Sequence, residues 1–461
     1  MGITDTVGGL LSISEPSARF LIGLYSAYPL AFVYKALFSK RSAWIQNVFF
    51  TAAGFWVMYF VYGAYMWHSL LDVLVVYGIL VLFGGSLTAV TLTWLVTMGH
   101  MMAGYVHVML SDEVHPISWT IPHCVLVLKL IGLSYNLYDA KRNPATISDD
   151  MKLVAVAEKP SFLELLGFCY FMGSVLSGPQ MSFIRYRQFV EGKLYNVETT
   201  PSSIPAGLQR FLVSCVFSGL YSLFNRNYPL TYLLTDEFGA QTFLYKLWLV
   251  FISGKIALWR YVTVWLVAEG SCIITGISYV PKEDGTIDWN GLANIHIIRN
   301  ELCITLQDVI EAFNINTNQW FFLYVFKRLK WAGNKSFSHL VTLLLVSVWH
   351  GVWPGYYFNF SFEFIAIFAE RSFLSFMKKA LGVKGLDDFN MVVRVPLVLA
   401  AFTLKNVVLM YPVVQFMLLT WDSCYRFMTL VYFYGHIVII GWLLLHTLVL
   451  KNLYRPKKKE T

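Results

Sequence analysis

VLVVYGILVLFGGSLTAVTLTWLVTMGHMMAGYVHVMLS (Val73–Ser111) is the stretch that decides the fold. Its 39 residues include no Asp, Glu, Lys or Arg. At about 1.5 Å per residue it would make roughly 58 Å of helix. A bilayer core is roughly 30 Å thick and takes about 20 helical residues to cross, so the run holds two spans. Outward from it, Ser42–Leu71, Leu165–Ile184, Ser336–Phe362 and Phe427–Leu450 are equally free of charge and long enough to cross once each. Further apolar segments, near Phe20–Phe38, Ile117–Tyr138, Phe211–Phe224, Phe243–Gly276 and Val395–Thr420, carry charges such as Lys129, Lys255, Arg260 and Lys405, which either pair inward or snorkel to headgroups. Unpaired backbone is too costly in lipid for anything but helices here, since no alternating ten-residue pattern suggests a barrel. The expectation is an all-α polytopic membrane protein of roughly ten to twelve hydrophobic helices, forming a single membrane-embedded domain over residues 1–461.

Composition agrees. The chain is 57% hydrophobic and 13% charged, against about 25% charged in soluble proteins. Its net charge of +8 comes from clusters that flank apolar segments, at Lys40-Arg41, Lys141-Arg142, Arg185–Lys193, Lys327–Lys335, Lys378-Lys379 and Arg455–Lys459. That distribution suits cytoplasmic loops beside spans and excludes a nucleic-acid face. Six cysteines without a CxxC pair imply neither a disulfide framework nor a zinc site, and no metal is expected. The start of the chain lacks the basic n-region of a signal peptide. Met1-Gly2 with Thr6 fits the myristoylation pattern, which many chains match by chance. Lys458 and Lys459 lie four and three places from the end, as a dilysine signal for retrieval to the endoplasmic reticulum or as a plain basic tail. Both readings put the C-terminus in the cytosol.

Two polar excursions matter within 281–335: an acidic loop (Asp284, Asp288, Glu301, Asp308, Glu311), then an amphipathic segment over Asn318–Ala332. Of ten histidines, most with ordinary explanations as span-end or inter-helix groups, His350 stands apart, fourteen residues past Ser336 in a charge-free run of 27 and flanked by Trp349 and Trp353. An imidazole there is expensive unless it faces a polar cavity or a partner. Its ordinary pKa near 6.5 lets it take a proton from a hydroxyl. Upstream, the amide-rich patch Phe313–Asn318 offers Asn314, as an oxyanion donor or as a helix cap. GxxxxGK[ST], HExxH, GxSxG and GxGxxG are all missing, which removes support for nucleotide hydrolysis, zinc proteolysis and hydride transfer. Residue chemistry alone leaves a membrane enzyme or a transporter with His350 in a cavity.

Asn314, followed 36 residues later by His350 in VWHGVWPGYY, resembles the paired asparagine and histidine of the membrane-bound O-acyltransferase family. FNINTNQWFFLYVFKRLKWAGNKS (Phe313–Ser336), LKLIGLSYNLYD (Leu128–Asp139), PSFLELLGFCYFMGSVLSGPQ (Pro160–Gln180) and YVTVWLVAEGSCIITGISY (Tyr261–Tyr279) are similar to its lysophospholipid acyltransferase branch. The resemblance implies helices around a central reaction chamber, an acyl-CoA co-substrate with no other cofactor, and a lysophospholipid acceptor, with lysophosphatidylcholine first among headgroups. His350 would be the general base, and Asn314 would orient the acyl donor or hold the oxyanion. Lys327, Arg328 and Lys330 would meet CoA phosphates or merely lipid headgroups. Trp320 and Tyr324 would line the tunnel or anchor a helix, and Tyr135 and Asn136 would touch the acceptor. Membrane lipids are the surrounding partner, and a homo-oligomer is compatible with the sequence. The alternative, a proton-coupled or solute transporter with His350 as relay, calls for paired broken helices and an internal repeat.

Overall fold

The computed structural model describes residues 2–11, 13–111 and 117–454; His115, Arg455 and the dilysine tail lie outside them. Six described helices are long and apolar enough to cross a membrane: Glu15–Phe38, Ala43–Phe83, Thr120–Ala140, Ile204–Phe224, Phe243–Thr275 and Met391–Leu418. A seventh crossing is available if Trp421–Leu430 and Tyr434–Leu450, bent by 72°, count as one span. The chain is thus an all-α multi-pass membrane protein. Leu87–Leu110, Lys335–His350 and Pro354–Ala380 are further helices outside these six or seven, so the apolar spans among the described residues are fewer than the ten to twelve expected from the charge-free runs.

The opening run folds as two helices. The first ends at Phe83, Gly85 turns the chain at φ 75, and Ser86 caps the next helix by accepting from Ala89 N at 3.1 Å. Glycine reaches positive φ at little steric cost, and serine supplies the acceptor that a helix start lacks.

The residues divide into two compact units: 1–219 with 260–295 and 314–331, and 220–259 with 296–313 and 332–461. In the first, Phe50 centres an aromatic core with Tyr34 at 4.7 Å and Phe171 at 4.8 Å between ring centroids. Gly54 lets Tyr170 approach so closely that an added Cβ would lie 1.8 Å from its carbonyl oxygen. The run Leu165–Ile184, long enough for one crossing, does not make a continuous helix. Helix Phe162–Cys169 stops, residues 170–182 run in turns, and Phe183–Val190 begins anew. Gly173, Gly178 and Pro179 break the helix locally. Freed carbonyls at such depth need protein donors. Lys129 supplies them, its Nζ reaching Phe168 O at 2.9 Å, Cys169 O at 3.3 Å and Ser174 Oγ at 2.9 Å. The charge inside Ile117–Tyr138 is thereby explained as an inward cap on a broken helix. A two-stranded hairpin, Val280–Pro281 with Ile287–Asp288, turns at Gly285 with φ 79.

In the second unit, Tyr411 is buried among Phe362 at 5.3 Å and Tyr434 at 4.9 Å, its hydroxyl 2.7 Å from His436 Nδ1. The run Ser336–Phe362 is also broken rather than continuous. Helix Lys335–His350 ends, Gly351 takes φ 138, and Pro354 opens the next helix. Gly351 N closes the first helix on Ser347 O at 3.1 Å. Gly355 N bonds Leu419 O at 2.8 Å. That approach leaves no room for a side chain, because a Cβ at 355 would meet Gln415 O at 2.3 Å.

Candidate active site

His350 is the last residue of its helix, at the break and not inside a continuous span. Its half-buried ring sits in an aromatic recess of the second unit: Trp349 at 4.6 Å, Phe416 at 5.0 Å, Phe360 at 5.3 Å and Tyr356 at 5.4 Å between centroids. Phe360 stacks at 24° and Phe416 meets it edge-on at 84°. Among the described residues neither ring nitrogen makes a hydrogen bond. Packing holds the ring while leaving both nitrogens for another molecule, as a proton-transferring imidazole requires. A structural histidine in an apolar region would instead spend its nitrogens on neighbours.

Asn314, in the first unit, occupies the left-handed region at φ 51 and ψ 42 and starts helix Ile315–Tyr324. Asparagine is among the few non-glycine residues that take this conformation readily. The turn is tied to Asn294: Asn294 O accepts from Ile315 N at 3.0 Å, its Oδ1 accepts from Asn316 N at 3.1 Å, and its Nδ2 donates to Asn314 Oδ1 at 3.3 Å. Asn294 N in turn donates to buried Glu269 Oε1 at 2.7 Å. With Oδ1 so engaged, and no hydrogen bond to Asn314 Nδ2 among the described residues, the amide keeps its two N–H donors for a ligand. Sequence reasoning passed over Glu269 and Asn294. A lone carboxylate inside VAEGSC was the available signal for the first; the second pairs with residue types that any polar loop contains.

A model of the membrane-bound O-acyltransferase family matches residues 101–414. "Lysophospholipid acyltransferase 5" of Bos taurus is 35% identical over 452 residues, covering 97% of this chain and 92% of that protein. Its Homo sapiens counterpart is 33% identical over 451 residues with the same two coverages, 97% and 92%. "Lysophospholipid acyltransferase" of Schizosaccharomyces pombe is 28% identical over 451 residues, covering 93% of this chain and 86% of that protein. The chain belongs to the membrane-bound O-acyltransferase family.

The other candidates of this O-acyltransferase gather in the first unit. Trp320 Nε1 donates to Leu128 O at 2.9 Å and the Tyr324 hydroxyl to Asn136 Oδ1 at 2.7 Å. Both rings are buried, as is Phe321, whereas Phe322 and Trp331 of the same segment stay exposed, and the stretch read as an amphipathic helix gives way to a 3-10 turn over Phe326–Ala332. Tyr324, Trp320 and Asn136 line a cavity of about 230 Å³ together with Gln180, Arg185 and Gln319. Arg328 forks onto Asp139 at 2.7 and 2.5 Å and stacks 4.4 Å over Tyr135. Lys327 pairs with Asp150. Lys330 is exposed, with no acidic partner among the described residues. Of the three bases it alone has no carboxylate partner among the described residues.

Proposed function

We propose that this chain moves a fatty acyl group from acyl-CoA to the free hydroxyl of a lysophospholipid, lysophosphatidylcholine foremost, in the endoplasmic reticulum membrane with a cytosolic C-terminus. The observation that carries the reading is the His350 ring, held by aromatic packing with neither nitrogen hydrogen-bonded among the described residues. One nitrogen takes the proton of the glycerol hydroxyl as its oxygen attacks the thioester carbonyl. Asn314 Nδ2 donates to the oxyanion of the tetrahedral intermediate. As that intermediate collapses, the C–S bond breaks, the new ester forms, and the proton passes from His350 to the departing CoA sulfur. Lys330 meets CoA phosphates as a point charge. The names of the relatives support the acceptor class. The transporter reading loses ground: the helix break at His350 suits both readings, whereas the family matched is an acyltransferase family.

The test is purified full-length protein with labelled oleoyl-CoA and a panel of lysophospholipids carrying choline, ethanolamine, serine or inositol. The expected result is labelled phospholipid and free CoA in equal amounts, greatest with choline. Folded protein that makes no phospholipid from any of the four would overturn the acyl-transfer reading, and equal or better use of another headgroup would overturn the choline assignment alone.

A further inference from the structure

Three helices of the first unit bring together ionisable groups that the acyl-transfer chemistry does not use. Asp72 comes from the segment Ala43–Phe83, His100 from Leu87–Leu110 and His123 from Thr120–Ala140. Asp72 is 1% exposed, and among the described residues its oxygens face two imidazoles, His100 Nδ1 at 2.7 Å and His123 Nε2 at 2.9 Å. No lysine or arginine among the described residues neutralises it. A buried carboxylate without a fixed counter-charge is costly.

The three donor atoms lie within 4.8 Å of one another, close enough for one ion to bridge them after shifts of a few tenths of an ångström at metal–ligand lengths of about 2.0–2.2 Å. The surroundings have the form that ligating imidazoles need, with the second nitrogen held and the ring fixed. His100 Nε2 meets His68 Nδ1 at 3.0 Å. His68 is itself clamped between Trp67 and Trp119, each centroid 3.8 Å away. A tautomer shift along this pair moves the His100 proton to Nε2 and frees Nδ1 for an ion. His123 Nδ1, buried and without a hydrogen-bond partner, can carry the proton that its Nε2 gives up. The side chain of His100 is 20% exposed, so the cluster is not sealed from the molecular surface.

We propose that Asp72, His100 and His123 form a binding site for a divalent transition-metal ion, with Zn²⁺ the ion that one carboxylate and two imidazoles suit. Its role is to tie together three helices that, among the described residues, share no other charged contact at this place. Sequence spacing does not disclose it, because the three residues come from separate helices.

The test uses the chelator-stripped full chain in lipid nanodiscs, titrated with CoCl₂ and followed by visible absorption. The proposal expects a saturable tetrahedral or five-coordinate Co²⁺ spectrum at about one ion per chain, displaced by ZnCl₂. Asp72→Asn and His123→Gln should each weaken binding by about tenfold or more, while His436→Gln, far along the chain in the other unit, should not. Should the variants fail to fold, carbethoxylation of wild-type His100 decides: Zn²⁺ protection supports the site. No Co²⁺ spectrum together with unprotected His100, or a folded Asp72→Asn that binds as wild type does, overturns it.

Discussion

The Asn314 turn and the His350 corner hold their residues by opposite means. Asn314 is fixed by directional bonds that run through Asn294 to Glu269. His350 is fixed by ring packing and a glycine–proline break, with no hydrogen bond to its ring among the described residues. A group that must keep a donor aimed at one point gains from a rigid polar lattice. A group that must gain and lose a proton within a turnover gains from a cage that leaves its nitrogens alone. The same contrast foretells how each fails: the first through its supports, the second only through its own ring.

The largest effect should come from the ring itself. His350→Gln keeps side-chain bulk and removes the proposed base, so kcat should fall about 10²–10⁴-fold while the melting temperature stays close to that of wild type, measured by labelled product and by thermal unfolding in detergent. A large loss of stability would show that the ring is structural. Asn314→Ala should follow, costing about 10²–10³-fold in kcat if its amide meets the oxyanion; an effect confined to KM would move it to donor binding.

Next comes the support. Glu269→Ala leaves the Asn294 N–H without its acceptor and Arg210, 3.6 Å from Glu269, without its carboxylate. Loss of a buried partner costs about 1–3 kcal/mol, so stability and activity should fall together, whereas Glu269→Gln, which keeps an acceptor oxygen, should recover much of both. If Glu269→Ala leaves activity intact, the Asn314 turn does not depend on that lattice.

The smallest effect concerns Asp308, outside the spans. The Thr305 hydroxyl at 2.5 Å and Arg299 at 2.8 Å hold its carboxyl below the ordinary carboxylate range. A depressed folded-state value contributes stability above the unfolded pKa, lost as pH falls through the folded one. Unfolding midpoints of wild type and Asp308→Asn should therefore differ at neutral pH and converge below about pH 4.

The fold's material was legible because lipid imposes it: charge-free runs became apolar helices, and Val73–Ser111 broke at the glycines its own sequence carries. Three runs long enough to cross once, Leu165–Ile184, Ser336–Phe362 and Phe427–Leu450, were not continuous, because hydropathy averages over side chains and does not see where a backbone carbonyl loses its partner. The breaks at 170–182 and 351–353 depend on glycine, proline and, for the first, a lysine 39 residues away from the carbonyl it satisfies. His350 and Asn314 could be chosen from residue chemistry and resemblance. Their supports could not, since Glu269 acts on Asn294 across 25 residues and Phe416 reaches the imidazole from another helix. Arg328 shows the same limit: a base in a basic run reads as a phosphate contact until its fork with Asp139 is seen.

The central claim is that His350 takes a proton from the acceptor and does not itself carry the acyl group. Rapid mixing of purified protein with labelled acyl-CoA alone, followed by thiol detection and mass spectrometry of the peptide containing His350, tests it most directly. General-base chemistry predicts no burst of CoA release and no acylated peptide until lysophosphatidylcholine is added, when CoA and phospholipid appear together. A stoichiometric burst without acceptor, with acyl label on His350, would contradict it.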